Sequence, residues 1–209
     1  MNDHNCELIN IDENFDEAVN KASELYLKSG VFAYPTDTIY GFGGNPFKGE
    51  VVERIRNIKG RASDQKFIFL INDLSLILEY IDIISERHLD FLHHIWPAPV
   101  SVVLKLNAYA EDELKMKTAA FRIPENRFCK RLLSSIKMPL ISTSVNRSGQ
   151  DPLNDQVLIR YEFGNSIDAI FYTSRNKSFS ASTIIDLTKS TPALIREGSV
   201  KYDDLIKFF

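Results

Sequence analysis

Tyr34-Pro35-Thr36-Asp37-Thr38-Ile39-Tyr40-Gly41-Phe42-Gly43-Gly44 decides how this chain is read, because it joins the apolar run Val31, Phe32, Ala33 to a turn that crowds hydroxyls, a carboxylate and glycines together. The apolar run has the pattern of a short buried strand. Pro35 fixes φ and removes an N–H where sheet pairing would stop. The polar groups that follow are then presented at a strand's carboxyl end, where open α/β sheets bind ligands. Gly41, Gly43 and Gly44 permit positive φ or close approach of a ligand to the backbone. Taken alone, the stretch reads equally well as a strand-to-turn junction with no ligand.

Working outward, Phe15, Ala18, Val19, Ala22, Leu25 and Tyr26 recur at helical spacing within 12–29 and stop near Gly30, as a helix closed by a glycine does. A second helix is predicted over 49–59, with Val51, Val52, Ile55 and Ile58 on one side and Gly60 at its end. Residues 67–71 form a continuous apolar run, read as a buried strand. Asp73 and Ser85 are predicted to cap helices over 74–80 and 86–95. Further strands are expected at 100–106, 119–123, 140–143, 169–172, 183–187 and 193–196, with helices at 126–136, 154–163 and 202–208. Strands and helices interleave without strict βαβ alternation. That pattern predicts one α/β domain over residues 1–209, a twisted mixed β-sheet flanked by helices, with 1–10 as an N-terminal extension or edge strand. Polar clusters recur at the strand ends and point to a shared, concave basic cavity.

Composition sets outer bounds. A chain of 209 residues with 44% hydrophobic content can bury one substantial core. A net charge of −3 argues against a surface built throughout to grip nucleic acid. Cys6 and Cys129 make no metal-ligand spacing and no secreted-type framework, which predicts plain thiols in a reducing cytoplasm. The segment Met1–Glu7 is polar, and no run approaches the roughly 20 apolar residues that a bilayer span needs. Neither export nor membrane insertion is expected.

Four other clusters can carry chemistry. Lys59, Arg61, Ser63 and Lys66 make a cationic loop just after a helix, suited to phosphate oxygens because the guanidinium forks and the ammonium acts as a mobile point charge. Its plainer alternative is a last-turn cation on the helix dipole beside solvated neighbours. Arg122 stands among apolar neighbours in Ala119-Ala120-Phe121-Arg122-Ile123, a costly burial without an anion, which a structural Asp or Glu or a substrate carboxylate or phosphate would supply. Ser142-Thr143-Ser144-Val145-Asn146-Arg147-Ser148-Gly149 reads either as an anion-binding nest or as an ordinary polar turn. Ser142 and Ser144 share one face of an extended segment. Ser182 precedes an apolar strand and Arg196 ends one; a surface ion pair is the plainer reading of Arg196. No phosphate-binding P-loop, dinucleotide fingerprint or Gly-x-Ser-x-Gly elbow occurs, and no two of His88, His93 and His94 lie four apart as a helical zinc pair would.

In this order the blocks resemble the YrdC-type threonylcarbamoyl-AMP synthases. The family pattern Tyr-Pro-Thr-(Glu/Asp)-Thr-x-Tyr-Gly-Leu-Gly is matched from Tyr34 to Gly43, with Phe42 in place of Leu. Lys-x-Arg is matched by Lys59 and Arg61, Arg-x-Pro by Arg122 and Pro124, and Ser-Thr-Ser-Ala-Asn-x-Ser-Gly by Ser142 to Gly149. Ser182 to Asp186 match Ser-Thr-Ile-x-Asp, and Arg196 and Gly198 match the final Arg-x-Gly. The resemblance implies synthesis of threonylcarbamoyl-AMP from L-threonine, bicarbonate or CO2 and ATP, with pyrophosphate released. The product would pass to a tRNA threonylcarbamoyl-transferase complex, with an RNA contact as a further expectation. It also implies a threonine site at Thr36, Arg122, Ser142 and Ser182, and an ATP site at Lys59, Ser63, Thr118, Ser144, Asn146 and Arg196. Lys59 and Arg61 would be the catalytic cations. Mg²⁺ is expected to be carried on ATP oxygens rather than by dedicated protein ligands.

Ala62, Ala98 and Val145 depart from the family's usual Pro, Gly and Ala, and Ser101 replaces its usual Thr. The chain stops soon after Gly198, which implies the form without the family's long extra domain. The alternatives are an RNA-binding or ribosome-assembly module without turnover, and a divergent paralogue of the same fold.

Overall fold

The sheet of this protein is built so that one face is only partly roofed by helices, and the unroofed part carries the polar clusters. The computed structural model describes residues 6–60, 67–82, 85–174 and 180–209. Among these, the strands are β1 (Glu7–Asn10), β2 (Phe32–Tyr34), β3 (Gly41–Gly43), β4 (Ile68–Leu70), β5 (Val100–Lys105), β6 (Thr118–Arg122), β7 (Leu140–Ser144), β8 (Ala169–Tyr172), β9 (Thr183–Asp186) and β10 (Ala193–Arg196). They form one sheet in the order β1-β8-β2-β3-β7-β4-β6-β5-β9-β10. Pairing is mixed: β1, β8 and β2 run parallel, as do β4 with β6 and β5 with β9, while the remaining pairs are antiparallel.

The helices are α1 (Phe15–Leu27), α2 (Gly49–Lys59), α3 (Leu74–Leu78), α4 (Glu86–Ile95), α5 (Ala108–Leu114), α6 (Arg127–Ile136), α7 (Gln156–Phe163) and α8 (Tyr202–Leu205), the last continuing into a 3₁₀ turn at Ile206–Phe208. Most begin at a side chain that accepts from the first turn, as Asn14, Asp73, Ser85, Asn107, Asn126 and Asp155 do. Helix α2 ends at Gly60, whose φ of 61° lies in the left-handed region and whose N–H bonds the Arg56 and Asn57 carbonyls.

Strand alternation sorts the core into two layers. Ala33, Phe42, Phe69, Phe121 and Ile141 face α2, α4 and α7, meeting Val51, Ile55, Phe91, Leu92, Ile159 and Phe163. On the opposite face Phe32, Tyr34, Leu70, Leu140 and Phe171 pack beneath α1 and α6, against Ala18, Val19, Ala22, Phe128, Leu132 and Leu133. Beyond Leu70 and Leu140 this second face continues without that roof. In register it carries Ile68 beside Ser142 and Ala120, Gly41 beside Ser144, and Ser101 beside Ile184.

Two elements differ from the sequence expectation. Gly41–Gly43 is a strand, held between β2 and β7, rather than a turn. None of Gly41, Gly43 and Gly44 has positive φ. A Cβ on Gly43 would come within 2.6 Å of Tyr34 Cε1 and 2.8 Å of Phe32 Cε2, so the missing side chain makes room for aromatic packing and not for a ligand. Helix α5 was not predicted. Its cap at Asn107, which accepts from Ala110 N at 2.9 Å, was its one local sign. Within the expected N-terminal extension, residues 7–10 are an edge strand parallel to β8.

Candidate functional site

Arg122 is the pivot of the site. It ends β6 on the unroofed face, is 2% exposed, and no carboxylate stands opposite it in the sheet, where its register partner is Leu70. Nη1 donates to Thr38 Oγ1 at 3.0 Å, and Nη2 lies 3.5 Å from Asp37 Oδ1. Nε is buried without a hydrogen-bond partner. The guanidinium therefore has both a structural acid beside it and an unspent donor, which joins the two alternatives that the sequence left open. Asp37 is held in turn by the Glu125 N–H, which donates to Oδ2 at 3.2 Å.

A cavity of about 200 Å³ opens beside this group, lined by Thr38, Gly41, Arg122, Ser142, Ser144, Ser182 and Arg196, with Ile68 and Ile184 as apolar walls. That is smaller than the roughly 300–1,000 Å³ of drug-sized sites, and suits an amino-acid-sized ligand. Ser182 Oγ sits 3.0 Å from Ser101 Oγ, both buried. Arg196 is exposed as a residue, yet its guanidinium rests on the Ser182 carbonyl at 2.8 Å. Partial desolvation, and then the Arg122 charge, pull its pKa below the ordinary arginine value. Two like charges feel each other across one cavity, and its described lining contains no Asp or Glu. Such an arrangement attracts an anion.

Next to this cavity stands a second cluster, around Lys59. The Lys59 ammonium is fully buried and donates to the Ser144 carbonyl, to the Asn146 carbonyl at 3.0 Å and to Asn146 Oδ1 at 2.6 Å, with the Phe42 ring centroid 5.8 Å away. Ser144 Oγ also donates to Asn146 Oδ1, at 2.6 Å, and Asn146 Nδ2 donates to the Gln150 carbonyl. The Lys59 carbonyl accepts from Ser148 N at 2.8 Å. The end of α2 and the polar turn after β7 are thus one hydrogen-bonded unit.

Of the residues singled out in the sequence, Arg122, Ser142, Ser144, Ser182 and Arg196 line the cavity, and Lys59 and Asn146 adjoin it through Ser144. Thr36 is buried behind Thr38, while Thr118 lies two strand positions beyond Ala120 on the Arg122 face and outside the lining. Arg61, Ser63 and Lys66 lie outside the described residues, as does Ala62. Sequence reasoning missed Thr38, Asp37 and Ser101 as parts of the site. Thr38 and Asp37 stood in the opening stretch with no role, and Ser101 stood out only as a replacement for the family's usual Thr.

Of the other departures, Val145, fully buried in the core, and Ala98, which has no positive φ, fall outside the cavity lining, whereas Ser101 bonds the cavity-lining Ser182. Cys6 and Cys129 are free, buried thiols, with Cys6 pushed up to about 11 by desolvation.

Fold and cavity together define a mixed α/β protein with an anion-receptive, hydroxyl-lined site on the open part of its sheet. The sequence model of the Sua5/YciO/YrdC family, described as telomere recombination, matches residues 24–198, and the chain belongs to that family. It is 29% identical over 160 residues to a threonylcarbamoyl-AMP synthase of Coxiella burnetii, a match that covers 76% of this chain and 86% of that protein. Among solved structures, it is similar to P. abyssi Sua5 complexed with L-threonine, with a TM-score of 0.88 and 25% identity over 96% of this chain. The chain spans 60% of the length of that Sua5. It is also similar to E. coli YciO, with a TM-score of 0.82 and 27% identity, covering 93% of this chain and 96% of the other.

Proposed function

We propose that this protein, acting as one domain, synthesises threonylcarbamoyl-AMP from L-threonine, bicarbonate or CO2 and ATP, releasing pyrophosphate. The observation that carries this reading is Arg122, a buried guanidinium with an unspent Nε–H beside a small, hydroxyl-lined cavity that Arg196 also faces. An amino-acid carboxylate is the ligand such a donor accommodates best. The relatives named as threonylcarbamoyl-AMP synthase, and the Sua5 structure complexed with L-threonine, support the same assignment.

In this reading Arg122 pairs the threonine carboxylate, Ser142 and Ser182 supply hydroxyls around it, and Thr36 acts from behind Thr38. The threonine amine takes up CO2 to give a carbamate. A carbamate oxygen then attacks the α-phosphorus of ATP, and pyrophosphate leaves. No protein nucleophile is required, so catalysis rests on gathering the reactants and stabilising charge on the phosphates. Ser144, Asn146 and Arg196 hold the nucleotide, together with Thr118, Ser63 and Arg61, and Lys59 adds its charge while fixing the Ser144–Asn146 turn.

Among the described residues no group of three or more His, Cys, Asp or Glu side chains is placed to hold a metal ion, and Asp37 is engaged by Arg122 and by the Glu125 N–H. That donor set fits Mg²⁺ held by the ATP oxygens, where it spreads the negative charge of the phosphates. The product would pass to a tRNA threonylcarbamoyl-transferase complex in the cytoplasm. The free thiols agree with a reducing compartment, and no described helix is long and apolar enough to cross a membrane.

The test is pyrophosphate release by the purified chain with ATP, bicarbonate and a panel of amino acids. Release that depends on threonine supports the reading. Absence of release with every amino acid abandons it in favour of a binding module or a divergent paralogue.

A further inference from the structure

Arg122 can only donate hydrogen bonds and the Ile39 carbonyl can only accept them, and between these two fixed ends lie just two hydroxyls. Arg122 Nη1 donates to Thr38 Oγ1 at 3.0 Å. Thr38 Oγ1 lies 2.9 Å from Thr36 Oγ1, and Thr36 Oγ1 donates to the Ile39 carbonyl at 2.7 Å. Because Thr36 spends its only hydroxyl proton on Ile39, the contact between the two threonines must run from Thr38 to Thr36. Thr36 Oγ1 also accepts from Thr38 N at 3.0 Å, so its hydroxyl is saturated within the turn. Both threonines are 3% exposed. The direction of the whole chain follows: guanidinium to Thr38, Thr38 to Thr36, Thr36 to backbone.

We propose that Thr38, backed by Thr36, is a positioning residue for amino-acid binding: the relay locks one arm of the Arg122 fork and thereby holds the guanidinium in place at the cavity wall before a carboxylate arrives. Asp37 Oδ1, 3.5 Å from Nη2, steadies the same fork from another side. A guanidinium has several donors and long rotatable links, and an arm without an acceptor would be free to swing and to collapse onto Asp37. Holding it in advance removes an ordering cost from ligand binding. The pairs of hydroxyls at the site then divide: Thr36 and Thr38 serve Arg122, whereas Ser101 and Ser182 are bonded to each other at 3.0 Å, with Ser182 lining the cavity. This inference rests on the amino-acid site proposed above, and adds to it a residue without an assigned role.

The experiment is calorimetric titration of L-threonine, without ATP, into wild-type protein and the variants Thr38→Val, Thr38→Ser and Thr36→Val, with thermal melts and an ATP titration of each. Thr38→Val keeps the shape and removes the relay, and is expected to weaken threonine binding about tenfold or more while ATP affinity stays within about twofold. Thr38→Ser restores the hydroxyl and should recover most of the lost affinity; a change in packing alone would not be rescued this way. Should Thr38→Val fail to fold, Thr36→Val cuts the relay one bond further from the cavity and decides the matter by the same readout. Unchanged threonine affinity in a folded Thr38→Val, or equal losses for threonine and ATP, would overturn the inference. Wild-type protein that binds threonine but does not turn it over would remove the proposed reaction and leave the relay standing; wild-type protein that binds no threonine removes both.

Discussion

Arg122 shows how a single residue can be half explained by its sequence. An arginine inside an apolar strand announces a partner, because burial without one is costly. What the strand pattern does not reveal is that the partner is shared. Asp37 takes one arm at 3.5 Å, Thr38 takes another, and Nε is left over. These contacts join residues 84 and 85 positions apart, beyond the reach of any local spacing rule. A lysine would keep the charge but lose the fork, so Arg122→Lys is expected to raise the KM for threonine by about 10- to 100-fold, from the roughly 1.5–3 kcal/mol of hydrogen bonds to a charged group. The KM for ATP should stay near wild type. Steady-state kinetics with each substrate varied in turn checks this; equal changes in both constants would place Arg122 outside the amino-acid site.

At the scale of elements, the sequence located most helices and strands because their apolar spacing and caps are local. It missed β3 because a three-residue strand with two glycines has no alternation of its own and exists through its neighbours β2 and β7. It missed α5 because that helix buries little besides Ala110. Close backbone approach is equally invisible in one dimension. A Cβ on Gly198 would lie 2.2 Å from the Ala181 carbonyl oxygen and 2.6 Å from that of Ser182, while Gly198 N donates to Thr183 Oγ1 at 3.0 Å. Because those atoms are backbone, nothing flexible can give way. Gly198→Ala is expected to push the end of β10 off β9, moving Arg196 away from Ser182, at a cost of about 1–3 kcal/mol of overpacking. A lowered melting temperature with a raised KM for ATP is the expected result. A variant as stable and as active as wild type would show that the approach has slack.

Across the whole molecule, the roof of α1 and α6 stops partway along the sheet, and the site occupies what remains. The core on both faces of the sheet is dense and includes groups that resist ionisation. Desolvation raises Cys6 to about 11 and Tyr40 to about 12, and also raises Tyr26, Tyr34 and Cys129. Each keeps its proton in the folded state at a pH where the unfolded chain has lost it. Their contribution is therefore complete below about pH 9 and falls as pH climbs toward 12. Melting temperatures measured from pH 7 to 11 should decline above about pH 9, and a flat profile would contradict this account of the core.

The central claim is that the open part of the sheet joins threonine, an inorganic carbon unit and adenylate in one product. Mass spectrometry of reactions with ATP, L-threonine and ¹³C-bicarbonate tests it most directly. The account predicts an adenylate that contains both threonine and the labelled carbon, formed with pyrophosphate. Unlabelled threonyl-adenylate, or no adenylate from folded protein, would contradict it.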